Sequence, residues 1–269
     1  MIEMTKSSVF FITYISLVVL FTVILITAPN FYNLLTQEDH LVENMTALAL
    51  LFTGFLFIKL TLKSSNKGLT FLFTLVALVF LFGAGEEISW GQRIFGWETP
   101  EDFKAINDQD ETNLHNINKK FFDRAVDRLT ILFVLSLTIL RFFNTYKIAH
   151  IPLPTYSILL AFGLTPFYNQ YNHDVIDFYH LIYLAFLIIL TTAIKEKNQS
   201  LLLKTIIALA LTFSIRFVHL YYAEHFPPHN NSANEIREFL FALCCLGYAF
   251  FIHQKPIHQQ TDKQQKANS

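Results

Sequence analysis

Charged residues are scarce in this chain. They occupy 15% of its 269 positions, fewer than a soluble domain uses to cover its surface. Its lysines and arginines form no basic cluster and the formal net charge is −1, which argues against nucleic acid as a partner. Cysteine is limited to Cys244 and Cys245, and neighbouring residues have poor geometry for a disulfide. No internal repeat and no Pro/Gly-rich linker divides the chain, so one domain over residues 1–257 is expected. The tail "HQQTDKQQKANS" from His258 has too little apolar area to fold. Residues 258–269 are therefore expected to be a disordered cytoplasmic tail.

What remains is long and apolar. Hydrophobic residues make up 53% of the chain, with 29 phenylalanines. A bilayer core about 30 Å thick needs roughly 20 such residues per helix. Clear windows run over Val9–Thr27, Met45–Leu62, Leu69–Gly85, Arg128–Phe143, Ile176–Ile194 and Leu201–Tyr221, with weaker ones at Tyr156–Tyr168 and Glu235–His253. The expected fold is all-α: a polytopic integral membrane protein with a bundle of about eight transmembrane helices. The first window is too long for a signal-peptide core and ends without a cleavage pattern, so it is read as an uncleaved span.

Charge sets the expected orientation. Eight spans place both ends on one side, together with Lys59, Lys63, Lys67, Arg141, Lys147, Lys195, Lys197 and Lys204. All of the 21 acids except Glu3, Glu196 and Asp262 fall on the other side. The positive-inside rule makes the lysine-rich side cytoplasmic, in a plasma or inner membrane. The polar chemistry is then on the outer face.

The longest outer stretch, residues 86–127, is expected to form a structured interfacial segment. After Gly83, Ala84 and Gly85 it opens "EEISWGQRIFGWETPED". Adjacent carboxylates at a helix C-terminus face the negative end of its dipole, so Glu86 and Glu87 call for a positive partner: Arg93, a metal ion or Arg216. Gly83 and Gly85 allow close approach just before them. Thr99 and Pro100 are a helix start, and Trp90 and Trp97 suit the headgroup region. The stretch "NDQDETNLHN" has the first two spacings of a calcium loop, but Asn113 replaces its turn glycine and Lys119 its bidentate glutamate. It still supplies polar groups, among them Asn113 and His115. Membrane-embedded CAAX-type proteases combine about eight spans with an E-E-x-x-x-R motif. Here Gly91 holds the arginine position, with Arg93 two residues late, and no later histidine has phenylalanine four positions before it. The likeness stops at the dipeptide and the span count, and it assigns no family.

Two more stretches carry chemistry. In "YNQYNHDVIDFYHLIY", His173, Asp177 and His180 fall at i, i+4 and i+7 and share a helical face. Such a stripe suits a divalent transition metal, zinc or similar, a proton relay, or hydrogen-bonded packing. His180 is expected about two turns into the membrane. In "SIRFVHLYYAEH", Arg216 and His219 are neighbours on one face, and Arg216 is expected to pair with Glu86, Glu87 or Glu238. Asn234 and Glu235 read as a helix start, with Glu238 deeper.

The function these patterns imply is a membrane enzyme, a hydrolase or transferase acting on a lipid or lipid-linked small molecule at the outer face. Its expected catalytic groups are Glu86, Glu87 and His115. Trp90, Gln92, Arg93, Asn113 and Arg216 would bind substrate, and His173, Asp177, His180 and His219 would hold the metal. A proton-coupled transporter and a non-catalytic assembly protein are the alternatives. The topology is directly testable. With Cys244 and Cys245 replaced, an impermeant thiol reagent applied to intact cells should label a cysteine at Asn107 and spare one at Gln260; the reverse pattern contradicts the orientation.

Overall fold

The computed structural model describes residues 6–37, 40–104, 112–169, 176–225 and 232–255. The expected tail lies outside them. Helices dominate: α1 (Lys6–Thr27), α2 (Pro29–Thr36), α3 (Leu41–Lys63), α4 (Lys67–Glu87), α5 (Gln92–Phe95), α6 (Glu101–Lys104), α7 (Lys119–Phe142), α8 (Tyr156–Leu164), α9 (Ile176–Lys195), α10 (Gln199–His225) and α11 (Ser232–His253). A two-stranded hairpin, β1 (Lys147–Ile148) with β2 (Ile151–Pro152), joins α7 to α8.

Among the described residues, six helices are long and apolar enough to cross a membrane: α1, α3, α4, α9, α10 and α11. The other two expected spans differ for physical reasons. Tyr156–Tyr168 is helical, but it is the nine-residue α8 followed by a four-residue 3-10 turn, Thr165–Tyr168. At 1.5 Å per residue that is about 20 Å, short of a 30 Å bilayer core. Its residues from Ser157 to Asn169 are buried without a break, because α1, α7, α9, α10 and α11 all pack around it. Gly163 permits the contact with α9, since a Cβ there would lie 2.5 Å from the Phe186 ring. This piece is a central core helix.

The 24-residue α7 is long enough, but its first turns carry Asp123, Arg124, Asp127 and Arg128. The stretch "INKKFFDRAVDRL" that leads into it carries an apolar helical stripe, and that stripe faces outward. Ile117, Phe121, Phe122, Val126 and Leu129 are exposed, whereas Asp123, Asp127, Thr130, Ile131 and Val134 are buried. The start of α11 is buried all round, Asn234, Glu235 and Arg237 together with Ala233, Ile236, Phe239 and Leu240. A helix in water turns its apolar face inward; the start of α7 does the opposite.

Contacts align the helix ends. Lys63 Nζ lies 3.2 Å from His253 Nε2, and Lys204 Nζ donates to Ser8 Oγ at 2.7 Å and to Ser157 Oγ at 3.2 Å. These groups define a basic end. The buried charged side chains, Glu43, Glu86, Asp123, Asp127, Glu235 and Arg237, all belong to the opposite, acidic end. Between the two ends, threonine hydroxyls such as those of Thr22, Thr53, Thr192 and Thr205 donate to the carbonyl four residues earlier. That arrangement satisfies a hydroxyl without water.

Candidate functional site

Two structures meet at the acidic end. The first is a turn stapled by Glu86. As α4 ends, Ser89, Trp90 and Gly91 take positive φ in succession, at 46°, 54° and 82°. Two non-glycine residues in that region are strained, and such a turn persists only when its surroundings hold it. Glu86 does so. Its Oε1 accepts from Trp90 Nε1 at 2.6 Å and its Oε2 from the Leu114 backbone N–H at 2.6 Å. Gly85 leaves room for the indole, since a Cβ there would meet the Trp90 ring at 2.9 Å; Gly83 makes only an ordinary contact with Leu50.

Gln92 extends the staple. Its Nε2 donates to Thr99 Oγ1 at 2.6 Å, and its Oε1 accepts from Thr112 N at 2.7 Å. Asn113 Nδ2 adds a longer contact to Ser89 Oγ, 3.3 Å. The segment between α4 and α7 is thus tied back to the end of α4. Glu86 accepts from two neutral donors, an indole and a peptide N–H, and the Arg93 side chain that the sequence suggested as its partner lies outside the described residues. Thr99 uses its hydroxyl for Gln92, next to the short α6.

The second structure is a buried charge cluster that the sequence reading did not single out. The Arg237 side chain is only 3% exposed. Its Nη2 reaches Asp123 Oδ1 at 2.5 Å and Glu238 Oε1 at 3.1 Å, and its Nη1 reaches Asp127 Oδ2 at 3.3 Å. Asn169, which follows the 3-10 turn after α8, donates its Nδ2 to Asp127 Oδ2 in a very short contact. Asn234 Nδ2 approaches Asp123 Oδ2 at 3.4 Å. Three carboxylates and two carboxamides therefore surround one guanidinium across α7, α8 and α11.

The expected site residues fall into distinct places. Trp90, Gln92, Asn113 and Glu86 meet in the staple, with Glu87 half-buried beside them. Arg216 has no acidic partner among the described residues. Its Nη1 donates to Asn169 O at 3.0 Å and its guanidinium lies 5.9 Å from the Tyr179 ring centroid. The expected pairing with Glu86, Glu87 or Glu238 is thus replaced by a backbone carbonyl and an aromatic face, and Glu238 pairs with Arg237. His180 is the fifth residue of α9, not two turns deep, and is exposed on the face that carries exposed Leu184 and Leu187. His173 lies outside the described residues, as do the side chains of Arg93, His115, Asp177 and His219. Among the described residues, no three His, Cys, Asp or Glu side chains are grouped to hold a metal ion.

A sequence signal for the cluster did exist. Asp123 and Asp127 are four apart, and Asn234 precedes Arg237 and Glu238 by three and four. Each set shares a helical face. In surroundings apolar on the outside, that polar face is the one that turns inward.

Comparison of the chain with protein-family models, with curated proteins and with solved structures found no match. The fold and this site define its class only as an almost wholly helical protein with six helices of membrane-spanning length and apolarity.

The staple makes a measurable claim. Glu86→Ala leaves the Trp90 indole and the Leu114 N–H without their acceptor, a loss of about 1–3 kcal/mol, whereas Glu86→Gln keeps an acceptor oxygen. Hydrogen exchange should speed up at Leu114 in Glu86→Ala and much less in Glu86→Gln. Unchanged protection of Leu114 in Glu86→Ala contradicts the staple.

Proposed function

We propose that this chain is a multi-pass membrane enzyme, with its basic end cytoplasmic and its acidic end at the outer face, and that it acts on a lipid or lipid-linked substrate. One stripe of α11 carries this reading. Arg237, Phe241, Cys245, Tyr248 and Ile252 recur at helical spacing. The first belongs to the charge cluster; the other four line a cavity of about 650 Å³ between α4 and α7. Those two helices do not pack closely on one another, and α8 and α11 floor the gap.

The cavity matches the amphiphile. Its walls are mostly Leu, Val, Phe and Ile, with Thr130, Ser136, Cys245 and the Tyr248 ring among them, and exposed Leu72, Val126 and Leu129 form its rim. A volume of this size falls within the range of small-molecule sites. An acyl or polyprenyl chain entering sideways from the bilayer would bring its headgroup to the acidic end. There Asp123 and Asp127 supply carboxylates for acid–base chemistry, the general requirement of hydrolysis and group transfer. The exposed apolar stripes of α4, α7 and α10, including Phe71, Leu78, Leu129 and Phe217, support a lipid surround.

Sidedness favours an enzyme over a carrier, because every buried charged side chain among the described residues lies at one end. The expected metal does not enter this reading. His180, the one expected ligand whose side chain is described, faces outward with Leu184 and Leu187.

Purification in membrane discs cut directly from the native bilayer, followed by mass spectrometry of the retained lipid, tests the proposal. One lipid class should be enriched over the bulk membrane. Val76→Trp and Leu129→Trp, which fill the cavity, should deplete it about tenfold, equivalent to about 1.4 kcal/mol. Retained lipid that matches the bulk membrane, or that is unaffected by both substitutions, refutes it.

A further inference from the structure

The cavity between α4 and α7 has two unlike ends, which its lining residues reveal when ordered along the helices. On α7, Val126 and Leu129 stand within a turn of Asp127. On α11, Phe241 follows Arg237 by one turn, and Ile252 lies in the last turn, beside the His253 that meets Lys63. The cavity therefore begins at the depth of the charge cluster and runs to the basic end. From Arg237 to Ile252 the helix advances about 22 Å, less than the thickness of a bilayer core, about 30 Å. A hydrocarbon chain laid along this stripe from the cluster meets Ile252 before it has crossed the core.

The hairpin supplies the rest of the stop. Ile148 pairs with Ile151 and Lys147 with Pro152, so Ala149 and His150 form a two-residue turn, with φ of 47° and 70°. A turn with both φ values positive normally uses asparagine and glycine. Alanine and histidine are strained there, and such strain lasts only where the surroundings hold it. Here Tyr248 Oη donates to Pro152 O at 2.9 Å, the Leu153 N–H donates to Tyr146 O at 2.8 Å, and Arg141 Nη1 donates to Leu153 O at 3.4 Å. The Arg141 guanidinium also lies 5.3 Å from the Tyr146 ring centroid and 4.9 Å from that of Tyr156. The outcome is that Ile151 lines the cavity and packs on the cluster that contains Phe57, Phe73, Ala249 and Ile252. Because Pro152 O takes the Tyr248 hydroxyl, the stop is apolar.

We propose that the cavity takes a fatty acyl chain and measures its length, with Ile151 and Ile252 as the stop; this rests on the lipid reading given above. Each methylene that finds room against apolar walls contributes about fourfold in affinity, the equivalent of about 0.8 kcal/mol. A methylene that reaches the stop gains nothing and must instead displace packed side chains, which is unfavourable. Affinity therefore rises with chain length up to the depth of the cavity and falls beyond it. A polyprenyl chain longer than that depth has to turn back out between α4 and α7, so the geometry selects the acyl lipid of the two.

The test measures the length of the retained chains, not their amount, with the full chain in discs cut from the native bilayer. In the wild type, the acyl chains of the enriched lipid class should stop at a shorter length than those of the same class in the bulk membrane. Ile151→Ala should move that limit up by about two methylenes, the room that truncation of an isoleucine leaves, and Ile151→Phe should move it down. Leu129→Ala, at the end near the charge cluster, should leave the limit where it is. An enriched class with no length limit, a limit unmoved by both Ile151 variants, a limit moved equally by Leu129→Ala, or a retained polyprenyl lipid overturns the proposal. Each of those results leaves the cavity a lipid site. Retained lipid that matches the bulk membrane in class as well as in chain length overturns the lipid reading and this proposal together.

Discussion

A guanidinium cannot shed its charge on burial, so it must be met by acceptors wherever the chain carries it. Arg237 sits near the start of α11 with its side chain 3% exposed, and this one fact organises the acidic end. Its nitrogens take Asp123 and Asp127 from α7, one turn apart, and Glu238 from its own helix. To deliver those aspartates, α7 must turn its polar face inward, which sends Phe121, Val126 and Leu129 outward. Asn169 closes on Asp127, so α8 and its 3-10 turn stop at the depth of the cluster. Arg216 then takes the Asn169 carbonyl and brings α10 to the same layer.

The segment after α4 has a consequence for the cavity. It connects α4 to α7, the two helices that wall the gap. Glu86 and Gln92 tie that segment back on the end of α4 through Leu114 and Thr112, only a few residues before α7 begins. The strained Ser89–Trp90 turn is thereby fixed from both sides. An acid in the middle of that staple explains why an apolar helix ends in Glu86.

Much of the fold was legible from apolar length alone. The windows at Val9–Thr27, Met45–Leu62, Leu69–Gly85, Ile176–Ile194, Leu201–Tyr221 and Glu235–His253 each correspond to a long helix, because a run of that length has few other solutions. Length failed for Tyr156–Tyr168, where apolarity reflects burial among five helices and not contact with lipid. The site was read less well. The sequence points to Glu86, Glu87, the histidines and Arg216, and of these Glu86 meets Trp90 in the staple; it gives no prominence to the buried Arg237. In "INKKFFDRAVDRL" the conspicuous periodic stripe is the apolar one that holds Phe121 and Leu129, whereas the buried residues are Asp123 and Asp127. In a helix surrounded by apolar material, the informative face is the polar one. Contacts such as Glu86 to Leu114, 28 residues apart, and Arg237 to Asp123, 114 apart, leave no periodic trace in a single sequence.

The central claim is that Arg237 cross-links α7 to α11 through Asp123 and Asp127. A thermodynamic cycle on the full chain in lipid discs measures it directly, by comparing unfolding free energies of Arg237→Met, Asp123→Asn/Asp127→Asn and the combined variant. Removing the arginine alone strands buried carboxylates and should destabilise by about 3–5 kcal/mol. Removing all three charges together should recover most of that loss, since a neutral set needs no cation. Strictly additive losses, or an Arg237→Met variant as stable as the wild type, would show that the bundle does not depend on this interaction.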